Sequence, residues 1–292
     1  MLLNIATMII NKIYERAALC RAFEEECFRR IKSGDVKVPC YLGTGQEYIP
    51  ATVSVWLEDH GIIDRQVFIQ HRGHSAYLCF GGDMEELILE LLGDPRGCAG
   101  GMGGSASIQS VKANIYGHDG LLGSQVPIAV GACYANRKPT ICFMGDAAAE
   151  EDYVLTALGW SATHKLPILF IVEDNNLAIL TEKSVRRSWE IAEVARGFGL
   201  ATCNTSDDPE ILYSNTMPPP QNWPALLNVH TTRLGWHAGA GVDDPHAFDR
   251  HNEISRQLSK YPQRYEESVS YIKSKSERIV KETWKRHIKE TI

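Results

Sequence analysis

The feature that most constrains this chain is a strand–helix–strand pattern at its centre. Thr140–Met144 is a short apolar run, Ala148–Thr163 has a helical pattern, and Leu166–Val172 is a second apolar run opened by Pro167. Two apolar strands joined by a helix form a βαβ unit, which requires a parallel sheet with helices on its faces. Strands covered on both faces read as continuous apolar runs rather than as alternations. Ala225–His230 reads as a third strand. The expected fold class is therefore α/β, a central parallel sheet flanked by helices.

The remaining segments fit around that sheet. The first thirty-odd residues read as a helix, with Ile9, Ile13, Ala17 and Cys20 at helical spacing and Ser33-Gly34-Asp35 as its end. Gln46–Leu57, Asp83–Leu92 and Gln125–Asn136 are further helices, the last with Pro127 in its first turn. Cys98–Ser107 is dense in glycine and reads as loop, and residues 204–224 read as a loop around a short helix. From Pro262 onward, Val269, Ile272, Ile279, Val280, Trp284 and Ile288 make one apolar stripe among many charges. The expectation is one domain over residues 1–292, with an N-terminal helical extension (1–35) and a C-terminal amphipathic helix (262–290), both available for subunit contacts.

Composition removes several functional classes. The 292 residues carry 30 basic and 36 acidic side chains, a formal charge of −6 without a basic block, which makes a poor nucleic-acid binder. Apolar runs such as Leu166–Val172 fall far short of the ~20 residues a bilayer span needs. Met1–Ile10 lacks a basic start and a small-residue cleavage site, so no secretory signal is expected. The eight cysteines form no C-x-x-C pair, which favours buried free thiols in a reducing, cytoplasmic setting.

The chemistry is carried by the strand ends. Gly145-Asp146 follows the first strand and Glu173-Asp174-Asn175-Asn176 follows the second. A right-handed crossover brings both ends to one edge, where open α/β sheets bind their ligands. Asp146 and Asn175 can then converge, one anionic and one amide oxygen donor. Such a pair suits magnesium, which takes further oxygens from a bound phosphate. A helix starting near Ala148 would aim its amino end at the same place. Gly145 and the small Ala147, Ala148 and Ala149 would let a ligand approach the backbone. The residues alone point to a magnesium diphosphate site, although strand-end Asp and Asn also serve as turn formers and helix caps.

Gly145-Asp146 with Glu173-Asp174-Asn175 across one βαβ unit resembles the thiamin-diphosphate motif. The version here resembles the α subunits of the decarboxylating component of 2-oxo acid dehydrogenases of pyruvate, acetoin and branched-chain type. Further stretches fit that family in the same order: Gly45-Gln46-Glu47, His71-Arg72-Gly73-His74, Gly101-Met102-Gly103-Gly104-Ser105, Gly120 to Pro127, Lys165-Leu166-Pro167, and Arg233 with His237. The resemblance implies thiamin diphosphate and Mg2+ as cofactors, with Asp146, Asn175 and the main-chain carbonyl of Leu177 as metal ligands. It implies Arg72 and His71 at the diphosphate, Gly145, Ala147 and Ala148 lining it, and main-chain groups of Gly120 and Leu122 on the aminopyrimidine. His237 would face the diphosphate and the reacting centre, and His237 and His74 are the expected catalytic residues. No glutamate occupies a position suited to activate the pyrimidine ring. The resemblance supplies one from a β-type partner in an α2β2 assembly, with a small 2-oxo acid as substrate and a lipoyl-bearing acyltransferase as acceptor. A two-carbon transferase with a non-lipoyl acceptor, and a non-catalytic stabilising subunit, remain as alternatives.

Several positions depart from the family pattern. Ala147 replaces a glycine, so a positive φ there is disfavoured. Thr156 and Gly159 stand where glutamate and asparagine are usual, Leu177 where tyrosine is common, and Ala238 where regulated members carry the phosphorylated serine. His118-Asp119 replaces the usual pair before Gly120 and is the expected source of altered substrate choice. The fingerprint-like Gly101–Ala106 follows a helix and a loop rather than a strand, so dinucleotide binding is not expected there.

Overall fold

The computed structural model describes residues 2–118, 120–260 and 269–288, with side chains from residue 8 onward. In chain order the elements are α1 (Leu2–Ser33), α2 (Tyr48–Asp59), β1 (Gln66–Phe68), α3 (His74–Cys79), α4 (Met84–Leu91), β2 (Ile115–Tyr116), α5 (Gln125–Asn136) and β3 (Thr140–Gly145). They continue with α6 (Asp152–Thr163), β4 (Ile168–Asp174), the hairpin β5 (Leu177–Ala178) and β6 (Thr181–Glu182), α7 (Lys183–Arg186) and α8 (Ile191–Phe198). The last are β7 (Ala201–Ser206), the one-turn α9 (Pro209–Ile211), β8 (Ala225–His230), α10 (Arg250–Ser259) and α11 (Val269–Lys285).

Six strands form one sheet in the order β2-β1-β3-β4-β8-β7, and every pairing is parallel. The chain leaves β1 toward β2 on one side, then returns to β3 and proceeds to β4 on the other. The order therefore reverses between β1 and β3, and a crevice opens at their carboxyl ends. The register sets Gly145 opposite Glu173, so the two predicted motifs end side by side.

The strands feed two cores. Ile141, Phe143, Leu169 and Ile171 point to one face, and Cys142, Met144, Phe170 and Val172 to the other. On the first face lie α1 (Ile13, Tyr14, Phe23), α2 (Ile49, Val53, Leu57) and α11 (Ile272, Val280, Trp284). On the second lie α5 (Val126, Ala129), α6 (Val154, Leu158) and α8 (Ile191, Ala195). Burial on both faces explains the unbroken apolar runs of β3 and β4.

Three expectations need revision. The stripes of α1 and α11 face each other, with the Phe23 and Trp284 rings 6.2 Å apart, so they are largely used inside the chain rather than held for subunit contacts. The helix expected from Ala148 is interrupted. Ala148–Glu150 is a single 3-10 turn, Glu151 is extended (φ −66°, ψ 138°), and α6 starts only at Asp152. Glu173 and Asp174 belong to β4 itself. Three strands of the six-stranded sheet are additional: β1 and β2 have three and two residues, and β7 is an edge strand whose centre, Thr202, Cys203, Asn204 and Thr205, is largely polar. Asp119, residues 261–268 and residues 289–292 lie outside the described residues. All eight cysteines are free thiols, six of them buried. Among the described residues no helix is long and apolar enough to cross a membrane.

Candidate functional site

Gln70, His71 and Arg72 follow β1 directly and stand on one side of the crevice. Arg72 is buried, donating through Nη1 to the Leu42 carbonyl (3.1 Å) and through Nη2 to His237 Nδ1 (3.0 Å). Among the described residues no carboxylate lies within ion-pair distance of its guanidinium. Burial, followed by repulsion from Arg233, lowers its pKa to about 10. A guanidinium only donates, so His237 Nδ1 accepts, and the proton of the neutral ring sits on Nε2. Burial and then Arg72 and Arg233 depress the His237 pKa, which agrees with a neutral ring. His71 behaves likewise, pushed down to about 3 by burial and then by Arg72, and its buried Nε2 has no hydrogen-bond partner. The His71 ring lies 5.1 Å from Tyr41, 5.8 Å from His118 and 5.9 Å from His237. Two neutral imidazoles thus flank a buried cation that no carboxylate pairs directly, although Glu24, Asp243 and Glu173 act on it from farther away.

Across the crevice, β3 delivers Asp146, which is 2% exposed. Its Oδ2 is gripped by Arg186 Nη2, while Arg186 Nη1 donates to Glu150 Oε1 at 2.7 Å. Arg187 Nη1 adds contacts to the Asp146 main-chain oxygen (3.3 Å) and to Glu150 (3.5 Å). Burial, then the nearby Asp174 charge, raises the Asp146 pKa, only partly offset by Arg186. Gly145 brings the backbone close to Gln70, whose Oε1 a Cβ there would meet at 3.2 Å. Gln70 in turn donates to Glu173, whose carboxyl is pushed up to about 7, chiefly by burial.

At the end of β4, Asn175 Nδ2 donates to Gln46 Oε1 (3.0 Å) and Asn175 Oδ1 accepts from the Leu177 N–H (3.0 Å). Asn176 takes the left-handed conformation (φ 68°), which asparagine tolerates and which turns the chain into β5. Asp174 is tied down by Lys183 Nζ (2.7 Å), Asn228 Nδ2 (3.1 Å) and His230 Nδ1 (3.3 Å). Burial works against its charge, but these three donors outweigh that and hold its pKa below the ordinary carboxylate range.

The other predicted residues are distributed as follows. Ala147 is right-handed helical (φ −72°) and Ala148 lies in the 3-10 turn beside Asp146. Gly120 has φ +97° and donates its N–H to His118 Nδ1 (2.9 Å), and the Leu122 carbonyl accepts from the Tyr153 hydroxyl. His74 is fully buried, with Nε2 on Ser105 Oγ (2.8 Å) and Nδ1 on Glu24 (3.3 Å). Burial opposes its protonation, yet Glu24 prevails and raises its pKa. Both of its ring nitrogens are therefore engaged inside the protein.

Arg186, Arg187, Gln46 and Gln70 belong to this site and were not singled out as site residues from the sequence. Gln46 lay inside a quoted motif, whereas Arg186 and Arg187 reach Asp146 and Glu150 only because the chain folds back through the β5–β6 hairpin. Among the described residues no group of three His, Cys, Asp or Glu side chains is arranged to hold a metal. A divalent ion here would draw on one carboxylate, an amide oxygen, main-chain carbonyl oxygens and a phosphate, the hard-oxygen set that magnesium takes. The orphaned His71 nitrogen and the unpaired charge of Arg72 fit the anion.

The family described as dehydrogenase E1 component matches residues 15–292. The chain belongs to that family. Pyruvate dehydrogenase E1 component subunit alpha of Rickettsia typhi is 28% identical over 259 residues, 84% of this chain and 77% of the relative. The protein of the same name from Zymomonas mobilis is 26% identical over 258 residues, 84% of this chain and 71% of that one. Among solved structures, transketolase from Campylobacter jejuni superposes with a TM-score of 0.57 at 16% identity over 96% of this chain. Transketolase from Leishmania mexicana gives 0.57 at 16% identity over 94%. The chain spans about half the length of these transketolases (48% and 46%), and at this identity the likeness concerns the fold. Family and fold thus agree with the α-type decarboxylating-component class expected from the motifs.

Proposed function

We propose that this chain is the α-type subunit of a thiamin-diphosphate- and magnesium-dependent enzyme that decarboxylates a small 2-oxo acid and passes the acyl unit to a lipoyl group. The observation that carries this reading is the crevice at the reversal of strand order, with Arg72 and His71 on one side and Asp146 and Asn175 on the other. Arg72 and His71 hold the anionic tail, a guanidinium fork matching phosphate oxygens. Asp146, the Asn175 side chain and the Leu177 carbonyl hold Mg2+. Gly145, Ala147 and Ala148 line the diphosphate without side chains that would obstruct it. Main-chain groups of Gly120 and Leu122 orient the aminopyrimidine.

When bound, thiamin diphosphate supplies the carbanion centre and the electron sink. The chain's own part is placement. Arg72 fixes His237 with its proton on Nε2, where a neutral ring can donate a hydrogen bond to developing negative charge. Glu24 and Ser105 hold His74, which positions the His71–Arg72 turn. The activating glutamate comes from a β-type partner in a cytoplasmic α2β2 assembly. A lipoyl-bearing acyltransferase is the acceptor.

The test is CO2 release from 2-oxo acids by this chain co-purified with a β-type subunit, with cofactor, Mg2+ and a lipoyl domain. Turnover that needs both subunits and the lipoyl domain supports the proposal. Turnover by the single chain, or turnover indifferent to the lipoyl domain but dependent on an aldehyde or sugar acceptor, overturns it.

A further inference from the structure

The Asp146 carboxylate already has a cation. Arg186 bridges Asp146 and Glu150, and Arg187 Nη1 reaches the Asp146 main-chain oxygen and the Glu150 carboxylate. The donors exceed the acceptors: Arg186 Nε and Arg187 Nε and Nη2 are buried without a partner. Arg186 sits on α7, a single turn with no buried residue, directly after the short β5–β6 hairpin. No residue of the turn enters either core, and its tie to the sheet is the Lys183–Asp174 ion pair (2.7 Å).

A divalent ion arriving at Asp146 would place two positive charges beside the two guanidiniums that Asp146 and Glu150 already hold. The arrangement relaxes if Arg186 leaves Asp146 and keeps Glu150, to which its other amino group is already bonded. We infer that Arg186 is a tethered counter-ion that competes with the divalent metal for Asp146, so that metal loading requires its displacement. This rests on the cofactor site proposed above.

The experiment measures the Mg2+ concentration at which thiamin diphosphate binding to the full chain is half-saturated, by calorimetry, for wild type, Arg186→Gln and Arg186→Lys. Removing the competitor should lower that concentration at least about tenfold in Arg186→Gln, equivalent to about 1.4 kcal/mol. The metal-free variant should also melt below wild type, because a buried carboxylate loses its partner. Arg186→Lys keeps the charge without the fork and should fall between the two. If Arg186→Gln does not fold, the comparison of Arg186→Lys with wild type decides in the same way. Equal half-saturating concentrations, or a higher one in the variants, overturn the inference and leave the cofactor reading standing. Absence of binding by every chain removes both.

Discussion

Glu90 offers a stringent test of how the site is supported. Its fully buried carboxylate accepts four main-chain N–H groups from the glycine-dense loop: Ala99 (2.7 Å) and Gly101 (2.8 Å) on Oε2, Gly103 (2.7 Å) and Gly104 (3.0 Å) on Oε1. That loop carries Ser105, which holds His74 behind the His71–Arg72 turn. Glu90→Gln is nearly isosteric, yet it replaces one acceptor oxygen with an amide that faces two N–H groups. Two charge-assisted hydrogen bonds at about 1.5–2.5 kcal/mol each are lost, a loss of about 3–5 kcal/mol. At roughly 2–3 °C per kcal/mol for a chain of this size, the melting temperature should fall by roughly 6–15 °C. Denaturant unfolding at equilibrium measures the free energy directly. A change below about 1 kcal/mol would refute the idea that this carboxylate clasps the loop.

Arg72→Gln should weaken thiamin diphosphate binding roughly tenfold to a hundredfold in calorimetry, while unligated stability stays within about 1 kcal/mol of wild type or rises, because an unpaired buried charge is removed. His251 predicts an acid-side loss of stability. It stacks on Tyr14 (ring centroids 5.4 Å apart) beside Arg21, Asp249 and Lys273, and its pKa is lowered to about 3 by burial and then by Arg21. Its unfolded pKa is near 6.5. Between pH 6.5 and 3 the unfolded chain binds a proton that the folded chain refuses, so stability declines as pH falls through that window. The slope for this group is about 1.4 kcal/mol per pH unit, or about 2 kcal/mol by pH 5. Unfolding curves of wild type and His251→Phe should differ by that slope; parallel pH profiles would contradict it.

The sequence revealed the elements whose burial leaves a strong pattern. β3 and β4 carry unbroken apolar runs because helices cover both faces, with Gly145-Asp146 and Asn175 at their ends, and β8 is apolar but for Asn228 and His230. β1, β2 and β7 escaped notice because two or three residues carry no periodicity and a polar edge strand carries no apolar run. Periodicity showed that α1 and α11 bury a stripe, but not that the partner of each is the other. The three alanines after Asp146 favour helix on propensity, yet Glu151 takes an extended backbone and resets the start of α6 at Asp152. For His74 the motif was visible, and only the folded chain sets Glu24 and Ser105 on its two nitrogens. Arg186 is the clearest case of information that exists only in three dimensions. It lies 40 positions from Asp146 in sequence and in contact with it in the fold.

The most direct measurement is a calorimetric titration of thiamin diphosphate into wild type and Asp146→Ala, each with Mg2+ and with a chelator. Wild type should bind saturably with Mg2+ and lose that binding with the chelator, and Asp146→Ala with Mg2+ should bind at least about a hundredfold more weakly, equivalent to about 2.8 kcal/mol. Binding of equal strength in both chains, or binding in wild type that the chelator leaves intact, would contradict a metal-tethered diphosphate between the ends of β3 and β4.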